Sequence, residues 1–485
     1  MPYDPQQFWL LLPETLLAAA GMALLLVGVG RGTRNRVAAA LALGALAVVG
    51  VALIWVQAPY LTAPKVILSG TFVLDGFSLA FKLITLLATA ITVLLSVRFV
   101  EEGGYRPGEY YALILLATTG MMLMASGNNL LSIWIALELM ALSSYILAGY
   151  FRLERRSNEA ALKYFVLGAL SSGILLYGIS LLYGAAGSLM LSDLARSLPG
   201  AMQGGSRLAA LGWILLGAGL FFKVAAAPFH VWTPDVYVGA PTPVTAYLAS
   251  ASKAASFAIL LRIFIQGLPQ LRVDWQLIVA LVATVSMVWG NLAALTQDNV
   301  KRMLAYSSIG HAGYVLVGLL AANRTGMWAA IFYLLAYSFI TLGAFGVVIL
   351  LERREYAGET CADYAGLAKR APFLAAMMLI FLIALTGIPP TGGFVGKFYL
   401  FAAAIEAGWT WVAVVGVLMS ALSLYYYFRL VVFMYQQDET ASTPLPATAP
   451  AVMVTVGICA AVTLLMGLWP APFIHFAQAA ALAVP

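Results

Sequence analysis

LSIWIALELMALSSY, residues Leu131–Tyr145, is apolar or hydroxyl-bearing at every position except Glu138. No two-residue alternation runs through it, so it reads as a buried helix and not as a strand of a membrane barrel. Working outward, the chain contains fourteen comparable runs, from Phe8–Val29 to Val452–Trp469, divided by charged or Gly/Pro-rich breaks. About 20 apolar residues span a bilayer core. The whole chain agrees: of its 485 residues 62% are hydrophobic and 9% charged, and the mean hydropathy is +0.94. Soluble domains run at about 25% charged, so too few charges are present to wet a water-soluble globule. The loops leave no room for an extramembrane domain with a nucleotide or protein-substrate cleft. Chemistry must then occur inside the bilayer or through partners.

Cofactor chemistry finds little support. Cys361 and Cys459 form no CxxC pair, and His230, His311 and His475 do not cluster. Iron–sulfur, thiolate-zinc and bis-histidine haem spacings are missing. The net charge of +6 is spread singly over short loops, which orients a membrane protein and does not suit nucleic acid. Met1–Gln7 carries Asp4 and no basic residue, unlike a secretory n-region.

Sorting the 26 basic residues by loop is informative. Fifteen fall on one side, among them Arg31, Arg156, Lys301, Arg302, Arg353, Arg354 and Arg429; six fall on the other, Lys65, Arg196, Arg207, Arg262, Arg272 and Arg324. The positive-inside bias puts the first side in the cytoplasm and both termini outside. Five lysines remain inside expected helices: Lys82, Lys163, Lys223, Lys253 and Lys397. Every arginine falls in a loop on this reading. A desolvated lysine can release its proton, whereas a guanidinium stays charged.

Charges at mid-span cost about 2.5–3.5 kcal/mol each and are expected to be paired, hydrated or functional. Glu138 calls for a cation, and Lys223 or Lys163 from neighbouring helices would supply one. Such a pair is either a proton switch or an ion pair holding two helices together. Two spans carry break signals: AAAPFHVWTPD (Ala225–Asp235) in the seventh and LTGIPPTGGFVGKF (Leu385–Phe398) in the twelfth. They fit a pair of inverted five-helix repeats, helices 4–8 and 9–13, although proline kinks without a transport role produce the same signal. The fold expected is an all-α polytopic membrane protein of about fourteen transmembrane helices. Its segments are an N-terminal three-helix part over 1–109, units over 110–265 and 275–435, and a C-terminal helix within 436–485. Lys253 sits about mid-span and reads as a proton relay; Asp75 and Lys82 read as an interfacial anchor. His230 and His311 are proton carriers or hydrogen-bonded structural residues.

Three runs resemble a known family: FFKVAAAPFHVWTPDVYVGAPTPVTAYLASASK (Phe221–Lys253), NVKRMLAYSSIGHAGY (Asn299–Tyr314) and GIPPTGGFVGKFYLF (Gly387–Phe401). They look like the antiporter-like subunits of respiratory complex I, an NADH-quinone oxidoreductase, and the related cation/proton antiporters. The resemblance implies a non-redox, proton-translocating subunit of a quinone-reducing translocase in the bacterial inner membrane. It places the central acid on Glu138 and the transport lysines on Lys223, Lys253 and Lys397, with Lys163 and His230 as further relay members. It implies no cofactor in this chain, FMN and iron–sulfur clusters in partner subunits, and other membrane-arm subunits and lipids as partners. The longest family member has a lateral C-terminal helix, for which the sixteen residues after Trp469 are too few. A stand-alone or multi-subunit cation/proton antiporter is the alternative.

Overall fold

The computed structural model describes residues 5–30, 34–61, 63–352, 358–436 and 449–483. Asp4, Arg31, Arg353 and Arg354 lie outside the described residues. Lipid supplies no partner for backbone groups, so the chain satisfies them internally, with helices almost throughout. α1 (Leu12–Gly30), α2 (Asn35–Gln57) and α3 (Gly76–Gly103) come first, with a small antiparallel hairpin, β1 (Lys65–Ile67) on β2 (Phe72–Leu74), between α2 and α3. α4 (Pro107–Ser126), α5 (Leu130–Ala148) and α6 (Arg155–Ala186) follow.

The expected seventh span is not one helix. After the short α7 (Leu191–Gln203), α8 (Arg207–Lys223) stops, the chain runs irregularly, and α9 (Trp232–Gly239) resumes. The next crossing, Thr242–Gly267, is continuous but uneven: α10 (Thr242–Tyr247), a π-helical turn at Leu248–Ser252, α11 (Lys253–Arg262), and a second π turn at Ile263–Gly267. α12 (Arg272–Leu295), α13 (Val300–Ala321) and α14 (Arg324–Leu351) are long and straight through, followed by the single turn α15 (Leu367–Arg370). The twelfth expected span is split into α16 (Pro372–Thr386) and α17 (Gly392–Glu406). α18 (Thr410–Gln436), α19 (Pro450–Leu468) and α20 (Ala471–Ala480) complete the chain. Among the described residues twelve helices are long and apolar enough to cross a membrane. α7 and α20 lie in stretches where the sequence suggested no helix.

Helix starts coincide with capping residues. Asn129 accepts from the Leu131 and Ser132 amides, Asn299 from Arg302, Asn323 from Gly326, and Asp75 from Ser78 in a capping box. Close packing of α12 on α13 depends on Gly290, where a Cβ would stand 2.5 Å from the Gly310 nitrogen. The crossing Thr242–Gly267 and helices α13 and α14 are almost wholly enclosed by protein, while α1, α2 and α18 present apolar side chains such as Leu26, Trp55 and Tyr425 outward. A helix with no outer face has nowhere to expel a charge. The charges on the enclosed helices are therefore the ones to follow.

Candidate functional site

α13 is the spine of the site. Ser308, His311 and Tyr314 recur every three residues on one face, rising about 9 Å along the axis. Lys253, the first residue after the π turn and 3% exposed, donates through Nζ to the Ser308 carbonyl at 2.7 Å and to Ser308 Oγ at 2.5 Å. π turns interrupt helices frequently at functional sites. One turn on, buried His311 shares hydrogen bonds with the Tyr333 hydroxyl (Nδ1, 2.5 Å) and the Tyr427 hydroxyl (Nε2, 3.3 Å). A further turn on, the Tyr314 ring lies 4.4 Å below the Lys397 ammonium, a cation–π contact. His311 feels the charge of both lysines. Two buried ammonium groups and an imidazole thus follow one face of one helix.

Lys397 stands on α17 but its head turns back across the break. Nζ donates to the carbonyls of Leu385 (2.8 Å) and Thr386 (3.0 Å), the last residues of α16, and to Ser420 Oγ (2.7 Å). The C-terminal end of a helix carries partial negative charge, so the ammonium sits where the backbone dipole favours it. Gly387 makes this possible: its φ is +88°, and a Cβ there would fall 2.9 Å from Lys397 Cδ. Neither Lys253 nor Lys397 has a carboxylate within ion-pair distance among the described residues; neutral oxygens hold both.

The direct Glu138–Lys223 pair expected from sequence does not form. Glu138 accepts a short hydrogen bond from Ser172 Oγ on α6, and Trp134 Nε1 donates to the same hydroxyl at 3.1 Å. Lys223 is the last residue of α8, and the Glu138 charge reaches it through space. Lys163 is not Glu138's partner either, nor is it buried. α6 starts at Arg155, earlier than expected, which leaves Lys163 near the helix end with its side chain 41% exposed. It pairs with Glu159 and Asp235, both at 2.7 Å, and Arg302 joins Asp235 at 3.2 Å. These groups line a polar cavity of about 320 Å³. His230 stays outside the lysine line: it sits in the seventh break, its ring 6.2 Å from Trp289.

Three further expectations are corrected. Arg262 lies at the end of α11 and not in a loop, 1% exposed, with Nη1 and Nη2 on Asp75 at 2.8 and 3.0 Å and a third bond to the Ala125 carbonyl. A planar guanidinium is tolerated inside because nearly all its donors meet fixed acceptors. Asp75 is therefore spoken for, and Lys82 does not anchor beside it; Lys82 is fully buried against Glu14 of α1 at 2.5 Å. Lys301, assigned to a loop, is 2% exposed and faces Glu352 (3.5 Å) and Glu359 (3.7 Å). The sequence reading missed Ser172, Ser308 and Ser420, although the three-residue spacing of Ser308, His311 and Tyr314 was a usable signal.

A profile of the family described as NADH:quinone oxidoreductase/Mrp antiporter, TM, matches residues 127–423, a span that holds Glu138 and the whole lysine line. Fold and site thus define an antiporter-like membrane subunit. NADH-quinone oxidoreductase subunit N of Trichlorobacter lovleyi is 43% identical over 97% of this chain and 96% of that one. A chain of respiratory complex I from Thermus thermophilus, solved with bound Aureothin, is 37% identical and superposes with a TM-score of 0.81 over 96% of this chain and 99% of that chain. A chain of the Mrp complex from Dietzia sp. DQ12-45-1b shares the fold at 23% identity, with a TM-score of 0.83 over 99% and 97% of the two chains. The chain belongs to the subunit N family of NADH-quinone oxidoreductases, multi-pass membrane subunits of complex I.

Proposed function

We propose that this chain translocates protons as a membrane-arm subunit of NADH-quinone oxidoreductase, driven by quinone reduction elsewhere in the complex. The observation that carries the reading is the line Lys253–Ser308, His311 and Tyr314–Lys397 along α13, two ammonium groups held by neutral groups with an imidazole between them. Each lysine can hand on a proton because no carboxylate fixes its charge; the imidazole accepts at one nitrogen and gives from the other. Like charges at the two ends repel, so a proton arriving at one lysine favours departure from the other. Glu138 supplies the remote negative charge that holds a proton on Lys223. The polar cavity with Lys163, Asp235 and Arg302 serves as the approach from one side. Lysines suit protons better than Na⁺, which takes oxygen ligands.

The inner membrane location, the cytoplasmic placement of the more basic loops with both termini outside, and the two inverted units over 110–265 and 275–435 belong to this reading. So do redox groups confined to partner subunits and a membrane arm built with antiporter-like neighbours. The chain of the Mrp complex with the same fold supports a second reading, a subunit of a multi-subunit cation/proton antiporter; co-purifying subunits distinguish the two. The direct test is quinone reduction and proton pumping in assembled complexes carrying Glu138→Ala, Lys223→Ala, Lys253→Ala or Lys397→Ala. Pumping falls at least about tenfold, equivalent to about 1.4 kcal/mol. Full pumping in all four overturns the proposal.

A further inference from the structure

Glu14–Lys82 is a buried ion pair that the lysine line leaves unused. Glu14 and Lys82 are 2% and 0% exposed and meet at 2.5 Å, yet among the described residues neither carboxylate oxygen nor the ammonium forms a hydrogen bond to any other protein group. A structural ion pair buried this deeply normally has its remaining donors and acceptors satisfied; in the Asp75–Arg262 pair all but Arg262 Nε are.

The depth of the pair follows from two ties between α3 and the crossing that carries Lys253. Asp75 is joined to Arg262, and Thr89 is joined to Tyr247 through the Thr118 hydroxyl, at 2.9 and 2.7 Å. Fourteen residues forward along α3 therefore match fifteen residues backward along the other crossing, and the two run antiparallel in step. Lys82, midway between Asp75 and Thr89, stands level with Ala255, about 3 Å along the axis from Lys253.

Lys82 also heads a stripe. Thr85, Thr89, Thr92 and Ser96 follow it at alternating three- and four-residue spacing, all fully buried. Hydroxyls that bond back to the preceding turn can simply pack helices together, and the stripe alone would mean no more than that. What sets this stripe apart is the fully buried ammonium–carboxylate pair at its head.

We propose that Glu14–Lys82 is an additional proton-exchange site, a side store at the depth of Lys253. In the resting ion pair the proton is on Lys82. Transfer to Glu14 leaves a neutral acid and a neutral amine. The amine then takes a second proton from the translocated pool, so the loaded store is a carboxylic acid beside an ammonium, and unloading reverses both steps.

The proposal rests on the proton-translocating reading, and the double variant Glu14→Gln/Lys82→Met in the assembled complex separates the two. A purely structural pair is replaced without loss, so assembly and pumping both return to parental levels. A store is lost while assembly is kept, and pumping falls at least about threefold at unchanged complex content. Parental pumping in the assembled double variant overturns the proposal. If Lys253→Ala and Lys397→Ala abolish pumping in parallel, the main reading survives that failure. Infrared difference spectra during turnover decide the matter independently of the double variant's assembly: a protonated-carboxyl band that shifts in Glu14→Asp supports the store, and its absence from the parental complex overturns it.

Discussion

In the seventh crossing the lysine ends the first half-helix; in the twelfth it stands on the second half-helix, six residues into α17. In space the arrangement converges. Lys223 closes α8, and the Lys397 side chain reaches back to the last carbonyls of α16, so both lysines belong to the negative end of a broken helix. The reversed order of lysine and proline in the two sequences is absorbed by the four-carbon stem of Lys397. What differs is the counter-charge. Lys223 answers to an acid, Glu138, acting at a distance, while Lys397 is held by two carbonyls, a hydroxyl and an aromatic face. A cation held only by neutral groups changes protonation without stranding a buried carboxylate.

That contrast can be broken most severely at Gly387. Gly387→Val forces a β-branched residue to φ +88° and into Lys397 Cδ; at about 3 kcal/mol of strain pumping drops on the order of a hundredfold, measured in membrane vesicles with complex content as control. Next comes Glu138→Gln, which removes the seventh crossing's counter-charge and leaves Lys397's oxygens untouched. A loss of about tenfold in pumping is expected, about 1.4 kcal/mol, and Glu138→Asp restores most of it. Ser420→Ala removes one of three hydrogen-bond acceptors from Lys397 and costs about 1 kcal/mol, or roughly fivefold in rate; Ser172→Ala, acting on Glu138, provides the matching measurement for the other half. The smallest effect is in stability. Ala225 holds φ +59° in the seventh break, so Ala225→Gly raises the unfolding free energy by up to about 1 kcal/mol, visible as a higher melting temperature of the solubilised complex.

Much of the architecture was legible from residue order. The long apolar runs, the two breaks and the lysines inside spans are properties of windows of about twenty residues, and the bilayer reads such windows directly. Lys253, His311 and Lys397 were singled out in that way. Pairing was less legible. Nothing in the first apolar run singled out Glu14, which α3 brings against Lys82, and Arg262 looked like a loop residue until Asp75, 187 positions away, supplied its acceptors. Lys163 failed in the opposite direction: a helix beginning a few residues early leaves it near the helix end and partly exposed. His230 and His311 were equivalent candidates by sequence, and only the second proved to face the lysines.

The sequence by itself determined that this chain lives in a membrane, that its spans are helical, that two of them break, and which charges must be carried inside. Those outcomes depend on local composition against a fixed solvent thickness. The tertiary structure alone decided which charges are compensated by acids and which by carbonyls and hydroxyls. Charge compensation acts over a few ångströms between residues that lie tens to hundreds of positions apart, and no window along the chain contains both partners.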